Sequence, residues 1–221
     1  MKSIAVLCAL VAVAFAEDVC YNDVVSSCGS KEVDLKNCNA KYGGAHEVVF
    51  ELQSYANEHI ARSFDYLLMA THFGNYEKNR EGFEKLFRKL SDSTWEDSID
   101  LIKYITKRGG MMNFSARKST QEPASEKTHE LYELHALARG LDTQKKLAEG
   151  ALGIHGEVTR RHEGYHDPEV ASYLEEHFMH RQAKSVRDFA GYTSDLQKLL
   201  GEKSQTSLSL FLFDEYLQKS L

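Results

Sequence analysis

Two Glu-x-x-His pairs stand in this chain, Glu126–His129 and Glu163–His166. On a helix an i, i+3 step puts a carboxylate and an imidazole on one face, a ligand pair suited to iron and related metals. Both pairs fall where helical periodicity begins or ends, so in a chain with 10 histidines they read as chance matches. His59 and His177 lie on apolar faces and read as satisfied core histidines. Cys20, Cys28 and Cys38 cluster near the amino terminus, with no CxxC-type spacing that would suggest zinc. In an oxidising compartment three thiols can form one internal bridge and leave one thiol, which is either bonded to another subunit or free and buried; which pair is internal stays open. Asn113-Phe114-Ser115 is an N-glycosylation sequon.

These residues must be carried by helices. The 221 residues are 42% apolar and 27% charged, enough for one domain with a real core. A formal charge of −6 gives no basic face for nucleic acid. Lys2, the apolar run Ile4–Phe15 and Ala14-Phe15-Ala16 read as a secretory signal peptide over 1–16, which takes Cys8 with it. The mature chain is expected to start at Glu17 and to be secreted. No later apolar run has membrane-spanning length, so no membrane partner is expected. Residues 17–44 read as a cysteine-bearing extension, 45–200 as a bundle and 201–221 as a short carboxy-terminal helix.

The bundle is read from spacing. Leu52, Tyr55, Ala56, His59, Ser63, Tyr66 and Ala70 predict a first helix over about 46–73, closed by Gly74-Asn75. Phe83, Leu86, Phe87, Leu90, Ile99, Ile102 and Ile105 predict a second over about 77–107, closed by Gly109-Gly110. Residues 109–127 carry no period and are long enough to cross a bundle. A third helix is predicted over about 128–163, with glycines at 140, 150, 153 and 156 that weaken it or allow close packing. Asp167-Pro168 predicts the N-cap and first position of a fourth helix, to about 200. Leu208, Leu210, Phe211, Leu212, Phe213, Tyr216 and Leu217 make a short fifth helix, too apolar to stay bare.

Tyr66-Leu67-Leu68-Met69 leading to His72-Phe73, Lys107-Arg108-Gly109-Gly110, Glu175-x-His177-Phe178, Gln182-Ala183-Lys184 and Leu212-Phe213-Asp214-Glu215-Tyr216 occur in order. With the long second connection, they make the chain resemble the ferritins, in particular the light-chain type of the secreted insect ferritins. The resemblance covers about 46–218. It implies an all-α, ferritin-like four-helix bundle with a long crossover between second and third helices and a short fifth helix. It also implies a closed shell of twenty-four subunits that stores ferric iron as mineral, with no organic cofactor.

An oxidising ferritin subunit builds its di-iron site from carboxylates on four helices with a histidine among them. By the resemblance those positions fall on His59, Tyr66, Thr94, Asp97, Ala148 and Gln182. Only the tyrosine and the glutamine are kept. The implied function is therefore a non-catalytic storage subunit, beside a heavy-chain subunit to which it is disulfide-linked. Asp92, Glu96 and Asp97, near Lys89 and Ser93, are the candidate nucleation residues. Glu175, beside Ser172 and Glu176, is the candidate channel residue. Two other readings stand: a ferroxidase with a displaced centre using Glu58, Tyr66, Asp97, Glu149 and Gln182, and a secreted helical carrier of lipid or a partner helix.

Overall fold

A computed structural model describes residues 19–26, 35–116, 132–160, 165–201 and 206–221. The chain divides into two units, Met1–Ala40 and Lys41–Leu221. In the first, helix α1 (Cys20–Ser26) is joined by a Cys20–Cys38 disulfide to the segment after it. Asp23 in α1 accepts from the backbone and side-chain amides of Asn37 at 2.8 and 3.2 Å, which closes the same loop a second time.

The second unit is helical, with no strand among its described residues. A 3-10 turn (Gly43–Val48) leads into α2 (Val49–Phe73). Then come α3 (Glu81–Lys107), α4 (Glu133–Thr159), α5 (Pro168–Leu174), a π turn (Glu175–Met179), α6 (His180–Gly201) and α7 (Thr206–Ser220). Helix α2 pairs with α3, α4 with α6, and α2 lies against α4, which makes the four-helix bundle. Helix α7 packs on α3 and α6.

The element ends have local causes. Asn75 Oδ1 accepts from the amides of Glu77 and Lys78, both at 2.9 Å, so the second helix starts at Glu81 rather than near 77. At its far end Gly109 takes φ 75°, and the amides of Gly109 and Gly110 bond back to Thr106 and Ile105 in a Schellman close. Asp167 caps α5 through the amides of Glu169 and Val170, with Pro168 in the first turn. Helix α4 stops at Thr159, short of the predicted 163, where Arg160 turns to extended backbone. Its predicted start near 128 lies outside the described residues. The fourth helix is interrupted by the π turn, which its sequence pattern does not announce.

From Gly110 the chain runs along α2. Gln53 donates to the Met111 carbonyl at 2.6 Å, and Asn57, one turn on, to the carbonyls of Asn113 and Ala116, each at 2.9 Å. Two amides on one face of α2 thus tie the start of the crossover down.

The core is two apolar clusters with a polar layer between them. One gathers Leu52, Leu101, Ile105, Ile154, Leu174 and Phe178; the other gathers Phe73, Phe83, Phe87, Leu137, Phe189 and Phe213. Each fully buried phenylalanine there contributes roughly 2 to 3 kcal/mol. Between the clusters lie buried His59, Ser63, Ser91, Thr94, Ser98, Gln144 and Gln182. Such a layer departs from what burial alone favours, so its chemistry needs an account.

Candidate metal centre

The polar layer surrounds a cavity of about 170 Å³. Its polar lining includes His59 from α2, Thr94 and Asp97 from α3, Gln144 from α4, and Arg181 and Gln182 from α6. Behind the lining, Gly150 of α4 leaves room for Tyr55: a Cβ there would come within 2.9 Å of the Tyr55 ring. Placed so, the Tyr55 hydroxyl donates to the Leu147 carbonyl at 3.0 Å and accepts from Gln182 Nε2 at 2.6 Å. Burial pushes the Tyr55 phenol well above its ordinary range, so it stays protonated.

His59 is buried, edge-on to the Tyr55 and Phe178 rings at 4.3 and 5.7 Å. Its Nδ1 faces the Tyr55 carbonyl at 2.9 Å. A carbonyl only accepts, so Nδ1 carries the proton and Nε2 holds a bare lone pair. Burial lowers the His59 pKa to about 4, which keeps the ring neutral at ordinary pH. Neither His59 Nε2 nor Gln182 Oε1 has a hydrogen-bond partner among the described residues.

Asp97 is the sole carboxylate among the described residues that line the cavity, and its Oδ1 lies 2.6 Å from the Arg181 guanidinium. Burial raises the Asp97 pKa against the opposing pull of Arg181. Tyr66 is fully buried and accepts from Gln144 Nε2 at 3.0 Å.

From the third helix of the bundle Gln144 lines the cavity and reaches Tyr66, while Ala148 is not among the lining residues. His59, Thr94, Asp97 and Gln182 line one cavity. Tyr66 joins them through Gln144. Gln144, Arg181 and Tyr55 are the residues the sequence reading missed.

The displaced-centre ligands do not converge here. Glu58 pairs with Arg62 at 2.6 Å, Glu149 is exposed, and neither lines the cavity. A di-iron group needs bridging carboxylates to offset two divalent charges. One aspartate already paired with arginine does not fit it. Among the described residues no cluster of three or more His, Cys, Asp or Glu side chains is placed to hold a metal ion.

Asp92, Glu96 and Lys89 lie apart, in a groove of about 570 Å³ along α3 with Glu84, Lys85 and Arg88 also on its walls, while Ser93 lines both the groove and the bundle cavity. Asp92 is paired there with Arg88 at 3.2 Å. Asp97 is not part of that group, because it turns into the bundle cavity instead. Glu175 opens the π turn and meets His155 Nε2 at 2.6 Å, with Ser172 and Glu176 exposed nearby. Cys20 is bonded to Cys38, and Cys28 lies outside the described residues. So do Glu126, His129, Glu163 and residues 1–16; His166 is exposed. Asn113 is exposed, with its Oδ1 accepting from the Ser115 amide at 2.9 Å. No described helix is long and apolar enough to cross a membrane.

Comparison with known proteins agrees with this geometry. The ferritin-like domain matches residues 51–199. The chain is 49% identical to the ferritin light chain of Trichoplusia ni, over 100% of this chain and 99% of that protein. It is 46% identical to the ferritin light chain of Drosophila melanogaster, over 94% and 92%. The crystal structure of Trichoplusia ni secreted ferritin superposes with a TM-score of 0.87 at 49% identity, covering 93% of this chain and 100% of that one. A bundle with a polar mid-layer, a long crossover and a fifth helix, matched along its length by these relatives, means that the chain belongs to the ferritin family.

Proposed function

We propose that this iron-storage subunit is a light-type, non-oxidising member of a secreted ferritin shell, and that a heavy-type subunit in the same shell oxidises the iron. One observation carries the reading: the cavity at mid-bundle has a single carboxylate, Asp97, and Arg181 already neutralises it. Ferrous iron is the substrate of such a shell and ferric mineral its stored product. With one paired carboxylate, this cavity lacks the bridging oxygens that two iron ions require. The two relatives of 46% and 49% identity are both named ferritin light chains.

The rest of the assignment follows from that role. Residues 1–16 direct secretion and 17–44 form the extension. With Cys20 and Cys38 joined, Cys28 is left among the three for a bond to the heavy-type subunit. Twenty-four subunits close the shell. Asp92 and Glu96 supply oxygens where ferric mineral starts, and Glu175 lines a cation path. Asn113 carries a glycan, supported by its exposure.

Ferrous oxidation, followed by optical absorbance, tests the reading. Shells of this chain alone are expected to oxidise iron slowly, and mixed shells with a heavy-type subunit rapidly. Rapid oxidation by this chain alone overturns it.

A further inference from the structure

Two tyrosines meet where the end of α3 lies against α5. The Tyr104 and Tyr173 rings are parallel to within 3°, with their centres 3.7 Å apart. Rings so close and so parallel nearly eclipse, the arrangement that neutral aromatics favour least, because their negative faces meet. Removing one electron reverses that preference, since two eclipsed rings share the hole. Tyr104 is 3% exposed, and the Tyr173 hydroxyl is buried with no hydrogen-bond partner among the described residues.

A phenol gives up an electron readily only when its proton leaves as well, and Tyr104 has the acceptor in place. Its hydroxyl donates to Glu169 Oε2 at 2.5 Å and accepts from Arg108 at 3.2 Å. Glu169 is also paired with Arg108. When Glu169 takes the proton, Arg108 keeps Asp167 at 2.7 Å, so no buried charge loses its partner. The Glu169 side chain is 42% exposed and passes the proton on to water. Tyr55 and Tyr66, buried too, meet a backbone carbonyl and the Gln144 amide, neither of which takes a phenol's proton. Tyr76 meets the Glu77 carboxylate at 3.2 Å, but it is 90% exposed, where a radical is open to solutes.

We propose that Tyr104 and Tyr173 form a radical sink for strong one-electron oxidants, hydroxyl radical among them, with Tyr104 as electron donor, Glu169 as its proton acceptor and Tyr173 as the ring that shares the hole. Such oxidants arise where ferrous iron meets peroxide, so a chain that stores iron encounters them. The exposed His177 ring, 4.7 Å from Tyr173, gives the hole a way in from the surface. Hydroxyl radical gains one electron and one proton and becomes water. Tyr104 loses one electron and hands its hydroxyl proton to Glu169, which releases it to solvent. The net change is phenol and hydroxyl radical to tyrosyl radical and water. The inference does not depend on whether this chain oxidises iron.

The test uses the full chain, assembled, with azide radical from pulse radiolysis as the probe, an oxidant that takes one electron without adding to rings. The tyrosyl radical is followed by its visible absorption and by electron paramagnetic resonance. The unaltered protein is expected to show a slowly decaying tyrosyl fraction, because the pair is shielded from solutes. Tyr104→Phe keeps the stack and should remove that fraction. Glu169→Gln should slow its formation at least about tenfold, by taking away the proton acceptor. Tyr216→Phe removes an exposed phenol and should leave the slow fraction as it was. If Tyr104→Phe does not assemble, Glu169→Gln carries the test, since it alters a side chain that is already part exposed. An unaltered protein with no slow fraction overturns the proposal. So does a slow fraction that survives Tyr104→Phe, or one that forms at the same rate in Glu169→Gln.

Discussion

Gln182 donates its amide to the Tyr55 hydroxyl at 2.6 Å across the middle of the bundle. The pair joins α2 to α6, and the same hydroxyl, donating to Leu147, reaches α4. Gln182 therefore has a structural role that needs no metal. Tyr55→Phe leaves the Gln182 amide and the Leu147 carbonyl without their partner inside the core. The expected loss is about 1 to 3 kcal/mol of unfolding free energy, read as a lower guanidinium midpoint with an unchanged slope. No change in midpoint would show that the bond contributes nothing net.

His59 gives the fold an acid-sensitive point. Its pKa is 6.5 when free and about 4 when buried. Between those values the unfolded chain binds a proton that the folded chain refuses, so stability falls as pH drops from about 6.5 to about 4. Below that both states are protonated and the loss from this residue stops. The gap between those two values corresponds to about 3 kcal/mol. Comparing guanidinium unfolding at pH 7 and pH 4.5 should show most of this loss in the natural chain, and His59→Leu should remove that share of it. An identical pH dependence in the two proteins would rule His59 out.

How far the sequence carried depends on the range of the interaction. Helix stripes, the Asp167-Pro168 start and the Gly109-Gly110 stop are local, and they emerge where periodicity and capping put them. The place of Gln144 at the cavity is not legible, because its bond to Tyr66 joins residues 78 apart and apolar spacing does not register it. Arg181 and Asp97 are 84 residues apart, and nothing near either one signals the other. The π turn is equally silent, since Glu175–Met179 has ordinary helix-forming residues.

Helix α7 does more than cover apolar surface. Asp214 is buried, and its Oδ1 accepts from the amides of Gly82 and Phe83 at 3.0 and 3.1 Å. A residue of the last helix thereby satisfies the first turn of α3, where no N-cap side chain does so. Asp214→Ala should cost about 1 to 2 kcal/mol and loosen α7, seen as faster amide exchange over 206–220 and 82–84. Gly82→Ala should do the same by another route, because its Cβ would lie 2.1 Å from the Asp214 carbonyl oxygen. Unaltered exchange in both variants would mean that α7 docks through Phe213 and Leu217 alone.

Arg108 closes the opposite end of the bundle. Its guanidinium bonds to Asp167 at 2.7 Å, to the Tyr42 carbonyl at 3.1 Å and to Glu169, and lies 4.1 Å from the Tyr42 ring centre. Burial alone would raise the Asp167 pKa, but the Arg108 bonds and the amides it caps outweigh that and hold it below the usual carboxylate range. A depressed carboxylate stabilises the fold above its free pKa, and that stabilisation is lost as pH falls through the lower, folded value. Arg108→Met should cost about 3 to 5 kcal/mol at neutral pH, because Asp167 is left buried and unpaired. Adding Asp167→Asn should recover much of this, since the uncompensated charge goes while the cap on α5 is kept. The penalty of Arg108→Met alone should shrink below pH 4, where Asp167 can protonate. A double variant no better than the single one, at every pH, would show that Arg108 acts through its Tyr42 and Glu169 contacts and not through this ion pair.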